Sequence, residues 1–305
     1  MLIVIAVGGN ALLHRGEPLT AKNQRANVQL AARAIAEVIN AGHEVVVTHG
    51  NGPQIGLLAL QGAAYNPDEM YPLDLLGAET DGMIGYLIEQ ELENAMPAGY
   101  QVATLITQIE VDAADPAFST PSKPVGPVYT KAEADQMALT RGWAVAPDGE
   151  NYRRVVASPL PISIPDIPII NLLLKQQVTV ICAGGGGIPV VRLNDGSLIG
   201  VEAVIDKDRA SALLAKKLGA DMLLMLTDVD AVYTDWGGPE QSVIRHGCAQ
   251  KMKKMNLAKG SMGPKVEAAC DFAMSVGRKA GIGKLQDALQ IIEEKAGTVI
   301  YNRSH

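Results

Sequence analysis

Three glycine-rich turns are the part of this sequence best suited to chemistry. They are Gly8-Gly9-Asn10, Gly50-Asn51-Gly52 and Gly184 to Gly187, and each follows a predicted strand. Glycine lets backbone N–H groups point into a concavity and lets an anion approach closely. A helix that follows such a turn adds the positive end of its dipole. Because the carboxyl ends of parallel strands share one crevice, the three turns together predict a site for anions.

Three lysines lie near turns or breaks of this kind. Lys207 would open a helix behind the natural N-cap Asp206. There its charge adds to a positive helix end, which is unfavourable without an anion nearby. Lys265 opens a predicted helix after Pro264, and Lys123 lies in a proline-rich segment. Each lysine alone would be taken for a surface residue, but their joint placement favours negatively charged reactants.

Composition and missing motifs exclude several classes of protein. The 305 residues include 26 Lys and Arg and 33 Asp and Glu, a net charge of −7. Without a long basic patch, nucleic acid is not an expected partner. The chain has no GxxxxGKS/T motif, no dinucleotide GxGxxG motif, no HExxH motif and no serine elbow. We therefore expect no metal site built by the protein alone.

Cysteine spacing and hydropathy indicate where in the cell the protein is expected. Cys182, Cys248 and Cys270 are too widely spaced for a zinc site or a CxxC redox pair, so we expect reduced thiols in a cytoplasmic protein. The apolar run at the N-terminus is too short for a signal sequence. No stretch is long enough to cross a bilayer, and we expect no membrane partner.

Hydrophobic periodicity predicts an α/β protein with a mainly parallel sheet. Leu2 to Val7 is predicted as a buried strand, about Thr20 to Asn40 as a helix, and Glu44 to Thr48 as the next strand. The further predicted strands are Tyr100 to Ile109, Val178 to Cys182, Met222 to Thr227 and Thr298 to Tyr301. The further predicted helices are Leu73 to Met96, Thr130 to Thr140, Asp206 to Leu218, 264 to 279 and 285 to 295.

Three segments depart from this alternation. Pro116 to Pro127 holds four prolines and is expected to be a loop or an excursion. Trp143 to Ala157, broken at Pro147-Asp148-Gly149, is predicted as a hairpin. A hairpin inside a strand–helix series indicates a small subdomain that protrudes from the main sheet. Residues 190–205 are predicted as a second β excursion, with a turn at Asn194-Asp195-Gly196.

These motifs, in this order, resemble those of the carbamate kinase family within the amino acid kinase fold. The resemblance covers nearly the whole chain. Its most specific parts are the Gly-Gly-Asn at Gly8 to Asn10, the His-Gly-Asn-Gly-Pro-Gln at His49 to Gln54 and the Ile-Asp-Lys-Asp at Ile205 to Asp208. The other parts are Ser122 to Pro127, Tyr152 to Val156, Ala183 to Val190, Leu226 to Val229 and Gly260 to Lys265.

The resemblance implies a three-layer αβα sandwich. It implies an N-terminal half, residues 1–175, for carbamate or carbamoyl phosphate, with a protruding subdomain at about 115–157. Residues 176–305 would bind the nucleotide. The implied reaction is reversible phosphoryl transfer between ATP and carbamate, which would run in cells from carbamoyl phosphate and ADP. Mg²⁺ would arrive with the nucleotide phosphates, and a homodimer is expected.

The resemblance also implies roles for individual residues. The implied catalytic residues are Lys123, Lys207, Asp208 and Lys265, with Asp208 fixing the last two lysines by charge-assisted hydrogen bonds. The residues implied to hold phosphate or substrate are Gly8, Gly9, Asn10, Gly50, Asn51, Gly184, Gly185 and Gly186. The residues implied to border the nucleotide are Thr227, Asp228, Tyr233, Met262 and Pro264. For His49 we expect an ordering hydrogen bond rather than catalysis.

Two alternatives stay open at this point. The first is a sister kinase of the same fold that acts on an amino acid or another small carboxylate. Lys123-Pro124, together with Tyr152-Arg153-Arg154, favours carbamate over that alternative. The second is a catalytically silent protein that binds nucleotide for regulation, against which the presence of all three lysines argues.

Overall fold

The computed structural model describes residues 1–13, 16–66, 68–255 and 262–303. The N-terminal strands are β1 (Leu2–Val7), β2 (Glu44–His49), β3 (Val102–Thr104), β4 (Gln108–Val111), β5 (Lys123–Tyr129), β6 (Val145–Asp148), β7 (Asn151–Val156) and β8 (Pro161–Ser163). The later strands are β9 (Thr179–Ile181), β10 (Ile188–Arg192), β11 (Leu198–Gly200), β12 (Met222–Thr227), β13 (Val232–Thr234), β14 (Ser242–Ile244), β15 (His246–Cys248), β16 (Lys279–Lys284) and β17 (Thr298–Tyr301).

Ten α-helices lie in the described part of the chain. They are α1 (Gly9–Leu12), α2 (Ala21–Asn40), α3 (Gly52–Tyr65), α4 (Leu73–Ala95), α5 (Lys131–Arg141), α6 (Ile167–Lys175), α7 (Lys207–Leu218), α8 (Ala249–Met252), α9 (Met262–Val276) and α10 (Ala288–Ile292). Within these ranges no helix combines the length and the apolar character needed to cross a bilayer.

An eight-stranded sheet forms the middle layer, in the order β15-β17-β16-β12-β1-β2-β9-β3. Every neighbouring pair is parallel except β16 with β17. Alternate residues of β1 face opposite sides: Ile3 and Ile5 pack in the core with α2, α4 and α10, whereas Val4 and Ala6 pack in the core with α6, α7 and α9. The predicted three-layer αβα sandwich with a mainly parallel sheet is confirmed.

A separate three-stranded sheet, β5-β7-β6, carries α5. Thr130 and Glu133 form a capping box at the start of α5, and Gly142 ends that helix in a left-handed conformation. The predicted hairpin is present as β6 and β7. We call β5, β6, β7 and α5 the small subdomain. It rests on α3, where Gly56 and Gly126 bring the two backbones into contact.

The prediction of one strand over Tyr100 to Ile109 is wrong. The chain forms β3 in the main sheet and then β4 in a four-stranded sheet, β11-β10-β4-β8. The break is fixed at Thr107, whose N–H donates to Asp81 and whose hydroxyl donates to the carbonyl of Leu105. A buried carboxylate from a distant helix therefore ends the strand, which local hydrophobicity does not reveal.

Three other segments correct the sequence-based predictions. The helix predicted over 264–279 ends at Val276, and Lys279 instead begins β16. That strand was missed because Gly281 and Gly283 weaken its pattern. Side chains added there would collide with Ile291 of α10. The glycine-containing helix α3 was also missed, and the expected loop over Pro116 to Pro127 includes the start of β5.

Gly56→Ala should destabilise the protein, although alanine normally favours a helix interior by about 1 kcal/mol. A Cβ at Gly56 would overlap the backbone of Gly126, and overpacking of this kind costs about 1–3 kcal/mol. The matched control is Gly62→Ala in the same helix, where a Cβ would have no neighbour within 4 Å in the described part of the chain. Urea unfolding should show a lower free energy of unfolding for the first variant and an unchanged or higher one for the second. Equal behaviour of the two would contradict the close packing at Gly56.

Candidate active site

A single buried carboxylate joins two lysines at the centre of the candidate site. Asp208 Oδ1 accepts a hydrogen bond from Lys207 Nζ at 2.7 Å, and Oδ2 accepts one from Lys265 Nζ at 3.2 Å. Asp208 is 4% exposed and Lys265 is 7% exposed. Burial lowers the pKa of Lys207, Asp208 opposes that shift, and the charge of Lys265 adds to it. Two ammonium groups share one carboxylate, so the group carries one surplus positive charge.

Helix starts position these side chains. Asp206 is the N-cap of α7 and accepts the N–H groups of Asp208 and Arg209. Lys207 is therefore the first residue of α7, and Asp208 lies in its first turn, where a carboxylate is favoured by the helix dipole. Lys265 lies in the first turn of α9, which packs against α7. Lys207 and Lys265 therefore both add positive charge to the positive ends of neighbouring helices.

Lys123 joins this group from the small subdomain. It is the first residue of β5, and its Nζ lies 2.5 Å from Asp206 Oδ2. Burial acts to raise the pKa of Asp206, but the charge and hydrogen bond of Lys123, with the charge of Lys207, lower it to about 2. Asp206 and Asp208 together thus bind all three lysines that the sequence singled out.

The first two glycine-rich turns meet beside Lys207. A Cβ added at Gly50 would lie 2.9 Å from the Gly9 nitrogen and 3.5 Å from Lys207 Cδ, so Gly50 allows a close approach of the two turns. Gly8 lies against β12, and its N–H donates to the carbonyl of Leu226. That bond occupies a donor which the resemblance implied for the phosphoryl group. The first N–H groups of α1, at Gly9 and Asn10, have no partner within the helix.

The third turn packs behind the second one. Gly184, Gly185 and Gly186 are buried. A Cβ at Gly184 would overlap the ring of His49, and one at Gly185 would overlap the amide of Asn51. Packing therefore explains why these positions are glycine, because they leave room for side chains that support the second turn. Gly186 similarly lies against the carbonyl of Ile205, just before α7.

A buried pair, of which the sequence analysis named only His49, supports the second turn. His49 Nε2 lies 3.5 Å from Asp81 Oδ1, and both side chains are almost fully buried. Asp81 Oδ2 accepts the N–H of Thr107 at 3.3 Å. Asn51 donates to Thr80, the neighbour of Asp81 in α4. No sequence signal singled out Asp81, because it is one of several acidic residues in α4 and its partners are distant in sequence.

The residues implied to border the nucleotide are placed in two groups. Thr227 ends β12, is buried, and donates its hydroxyl to Asp228. Met262 and Pro264 lie in the first turn of α9, before Lys265. Gly260 and Ser261 lie outside the described residues. The hydroxyl of Tyr233 donates to Asp230, and its ring packs edge-on against Trp236. Across the described ranges, no three His, Cys, Asp or Glu side chains converge to hold a metal ion.

Comparisons with known proteins agree with this geometry. Residues 1–284 match the profile of the amino acid kinase family. The chain belongs to the amino acid kinase family. It is 54% identical over 304 residues to the carbamate kinase of Haemophilus influenzae, covering 100% of this chain and 98% of the relative. It is 49% identical to the carbamate kinase of Escherichia coli K12, covering 98% of each chain.

A solved structure extends the similarity to three dimensions. The carbamate kinase from Giardia lamblia bound to AMP-PNP superposes with a TM-score of 0.89, at 41% identity and over 98% of each chain. The resemblance to carbamate kinases predicted from the motifs is therefore confirmed along the chain. Membership of this family also confirms the expected phosphotransferase.

Gly184→Ala should lower stability because the new Cβ would overlap the buried His49–Asp81 pair. Overpacking a buried site of this kind costs about 1–3 kcal/mol. Gly9→Ala is the control, since a Cβ there would meet none of the described residues within 4 Å. Thermal unfolding should show a lower Tm for Gly184→Ala and an unchanged Tm for Gly9→Ala. A Gly184 variant as stable as the wild type would show that this turn tolerates a side chain.

Proposed function

We propose that this chain is a carbamate kinase, which transfers a phosphoryl group reversibly between ATP and carbamate. The observation that carries the proposal is the buried Asp208 bonded to Lys207 and Lys265 beside two glycine-rich turns. A relative 54% identical over the whole chain is a carbamate kinase. We propose that the reaction runs in cells from carbamoyl phosphate and ADP towards ATP.

The charges of the site suit this chemistry. Phosphoryl transfer requires positioning of the reactants and neutralisation of charge on the equatorial oxygens, with little covalent work from the protein. Lys207 and Lys265 would supply that neutralisation, and Asp208 would hold both ammonium groups in place. Carbamate is an anion whose oxygen is already nucleophilic, so the reaction needs no general base. The buried His49, held beside Asp81, is accordingly given a supporting role.

We propose that the two reactants occupy the two predicted halves, residues 1–175 and 176–305. Gly9 and Asn10 would donate backbone N–H groups to the transferring phosphoryl group. Gly50 and Asn51 would face the carbamoyl side. Among the residues that the structure describes, none lies within 4 Å of a Cβ placed at Gly9, so packing by those residues does not require glycine there, which supports this assignment. A ligand that approaches the backbone would require it.

The nucleotide side is proposed from residues between the end of β12 and Lys265. They are Thr227, Asp228, Tyr233, Met262 and Pro264. The AMP-PNP bound to the Giardia relative supports nucleotide binding in this family. Mg²⁺ would bind through the nucleotide phosphates and draw negative charge from them; the described residues hold no acidic cluster that would bind it alone. The homodimer and the cytoplasmic location remain predictions.

An assay of ATP formation tests the proposed function. The purified protein with ADP, Mg²⁺ and carbamoyl phosphate should form ATP, measured by a coupled enzyme assay. Acetyl phosphate and acyl phosphates of amino acids serve as competing donors. Turnover on one of those donors, without turnover on carbamoyl phosphate, would favour a sister kinase. Nucleotide binding without turnover on any donor would favour a regulatory protein.

Lys265→Ala should lower kcat about 100-fold. A lost contact to developing charge costs roughly 3 kcal/mol of transition-state stabilisation. The control is Lys217→Ala, since Lys217 is exposed at the far end of α7. Steady-state kinetics should show near wild-type rates for the control. A Lys265 variant that keeps its kcat and loses only affinity would remove Lys265 from the transition state.

A further inference from the structure

We propose that Asp206 is a positioning residue that ties Lys123 of the small subdomain to the start of α7. This inference rests on the proposed function. The two oxygens of Asp206 have separate partners. Oδ1 accepts the N–H groups of Asp208 and Arg209, at 3.0 and 3.3 Å, whereas Oδ2 accepts Lys123 Nζ at 2.5 Å. One carboxylate thus spans the cap of α7 and the first residue of β5.

An N-cap alone does not require a carboxylate. Serine, threonine and asparagine cap helices about as well as aspartate, and each uses a single oxygen to accept the free N–H groups. The second oxygen of Asp206 is therefore available for another purpose, and it binds Lys123. Only aspartate supplies both a cap and a negative partner for a lysine at this position.

The backbone around Asp206 leads to the same strand. Lys123 pairs with Val156 across β5 and β7. The next residue, Ala157, forms a bridge with Ala203 and accepts the N–H of Val204. The segment that leads into Asp206 is thus bonded to the strand beside Lys123. The side-chain contact completes a short path from the small subdomain to α7.

The contact has a consequence for substrate binding. An ammonium group has three N–H donors, and the bond to Asp206 uses one of them. Two donors remain for an anion that binds beside Lys123. Asp206 would therefore act through Lys123, by holding its ammonium at the position where carboxylate and phosphate oxygens arrive. Asp206 need not touch the substrate.

Charge around Asp206 supports an ionised carboxylate. The groups that face it are the ammonium of Lys123 from β5, the ammonium of Lys207 and the N–H groups at the start of α7. All of them favour the anion. The side chain of Asp206 is 19% exposed and that of Lys123 is 30% exposed, so the pair is partly screened from water.

Asp206→Ser and Asp206→Asn test the inference, because both retain a capping oxygen and remove the negative charge. We expect a urea midpoint close to that of the wild type. We expect the KM for carbamoyl phosphate to rise at least tenfold and the KM for ADP to change less than twofold. Asp206→Ala, which loses the cap as well, is the comparison and should have a lower urea midpoint.

A double variant separates positioning from general disturbance. If Asp206 acts through Lys123, then adding Asp206→Ser to Lys123→Ala should raise the KM for carbamoyl phosphate no further than Lys123→Ala alone. Multiplied effects of the two substitutions would overturn the proposal. An equal rise in both KM values for Asp206→Ser alone would also overturn it.

Hydrogen exchange provides a readout that does not depend on activity. In Asp206→Ser, amides of β5 should exchange faster than in the wild type, whereas amides of α7 should keep their rates. Unchanged exchange in β5 would overturn the proposed tie. If the wild type forms no ATP from carbamoyl phosphate, the proposed function fails, and the exchange experiment still decides whether Asp206 holds the subdomain.

Discussion

The site depends on holding like charges together before any substrate arrives. Lys207 and Lys265 are brought to one carboxylate in a region with little solvent. Such an arrangement repels itself unless each ammonium has an oxygen partner. Asp208 supplies those oxygens, and the packing of α7 against α9 sets the distance between the helix starts. The surplus positive charge that remains attracts phosphate oxygens. The site therefore favours anions because two helix starts place two lysines around one carboxylate.

Glycine is required in these turns for two different physical reasons. At Gly50 the missing side chain lets two strand ends approach each other beside Lys207. At Gly184 and Gly185 it makes room for the buried His49, Asp81 and Asn51. The third turn is thus a support for the second, which the similarity of the three glycine patterns does not show. The glycine motifs identified the three turns in the sequence, whereas only the contacts in the structure show why each turn needs glycine.

Much of the fold follows from local pattern. β1 and β2 are short apolar runs bounded by glycine, and α2 has both a strong period and a Thr20 cap, so their bounds were predicted to within one or two residues. The pattern failed where glycine replaced the expected side chains, as in β16. It also failed at Thr107, where a distant carboxylate ends a strand. In both cases tertiary contacts outweighed local propensity.

The site was predictable to a similar degree. Lys207 and Asp208 are sequence neighbours at a recognisable cap, but their side-chain contact was expected from the family resemblance. The contact between Asp208 and Lys265 spans 57 positions and was expected only from the family resemblance. Asp81 was missed because its importance comes from burial between a turn and a strand end. Long-range polar pairs of this kind leave no periodic trace in a sequence.

The layered turns also limit how the proposed acceptor side can vary. The second turn is enclosed between Gly9 on one side and the Gly184–Gly185 backbone on the other. Its path is therefore fixed by main-chain contact on the Gly9 side and by the buried side chains of His49 and Asn51 on the other. Reshaping this hollow for a bulkier acid would require the strand ends themselves to separate, and exchange of the residues that line it would not suffice. An arrangement of this kind would limit the size of the acid that the proposed site accepts.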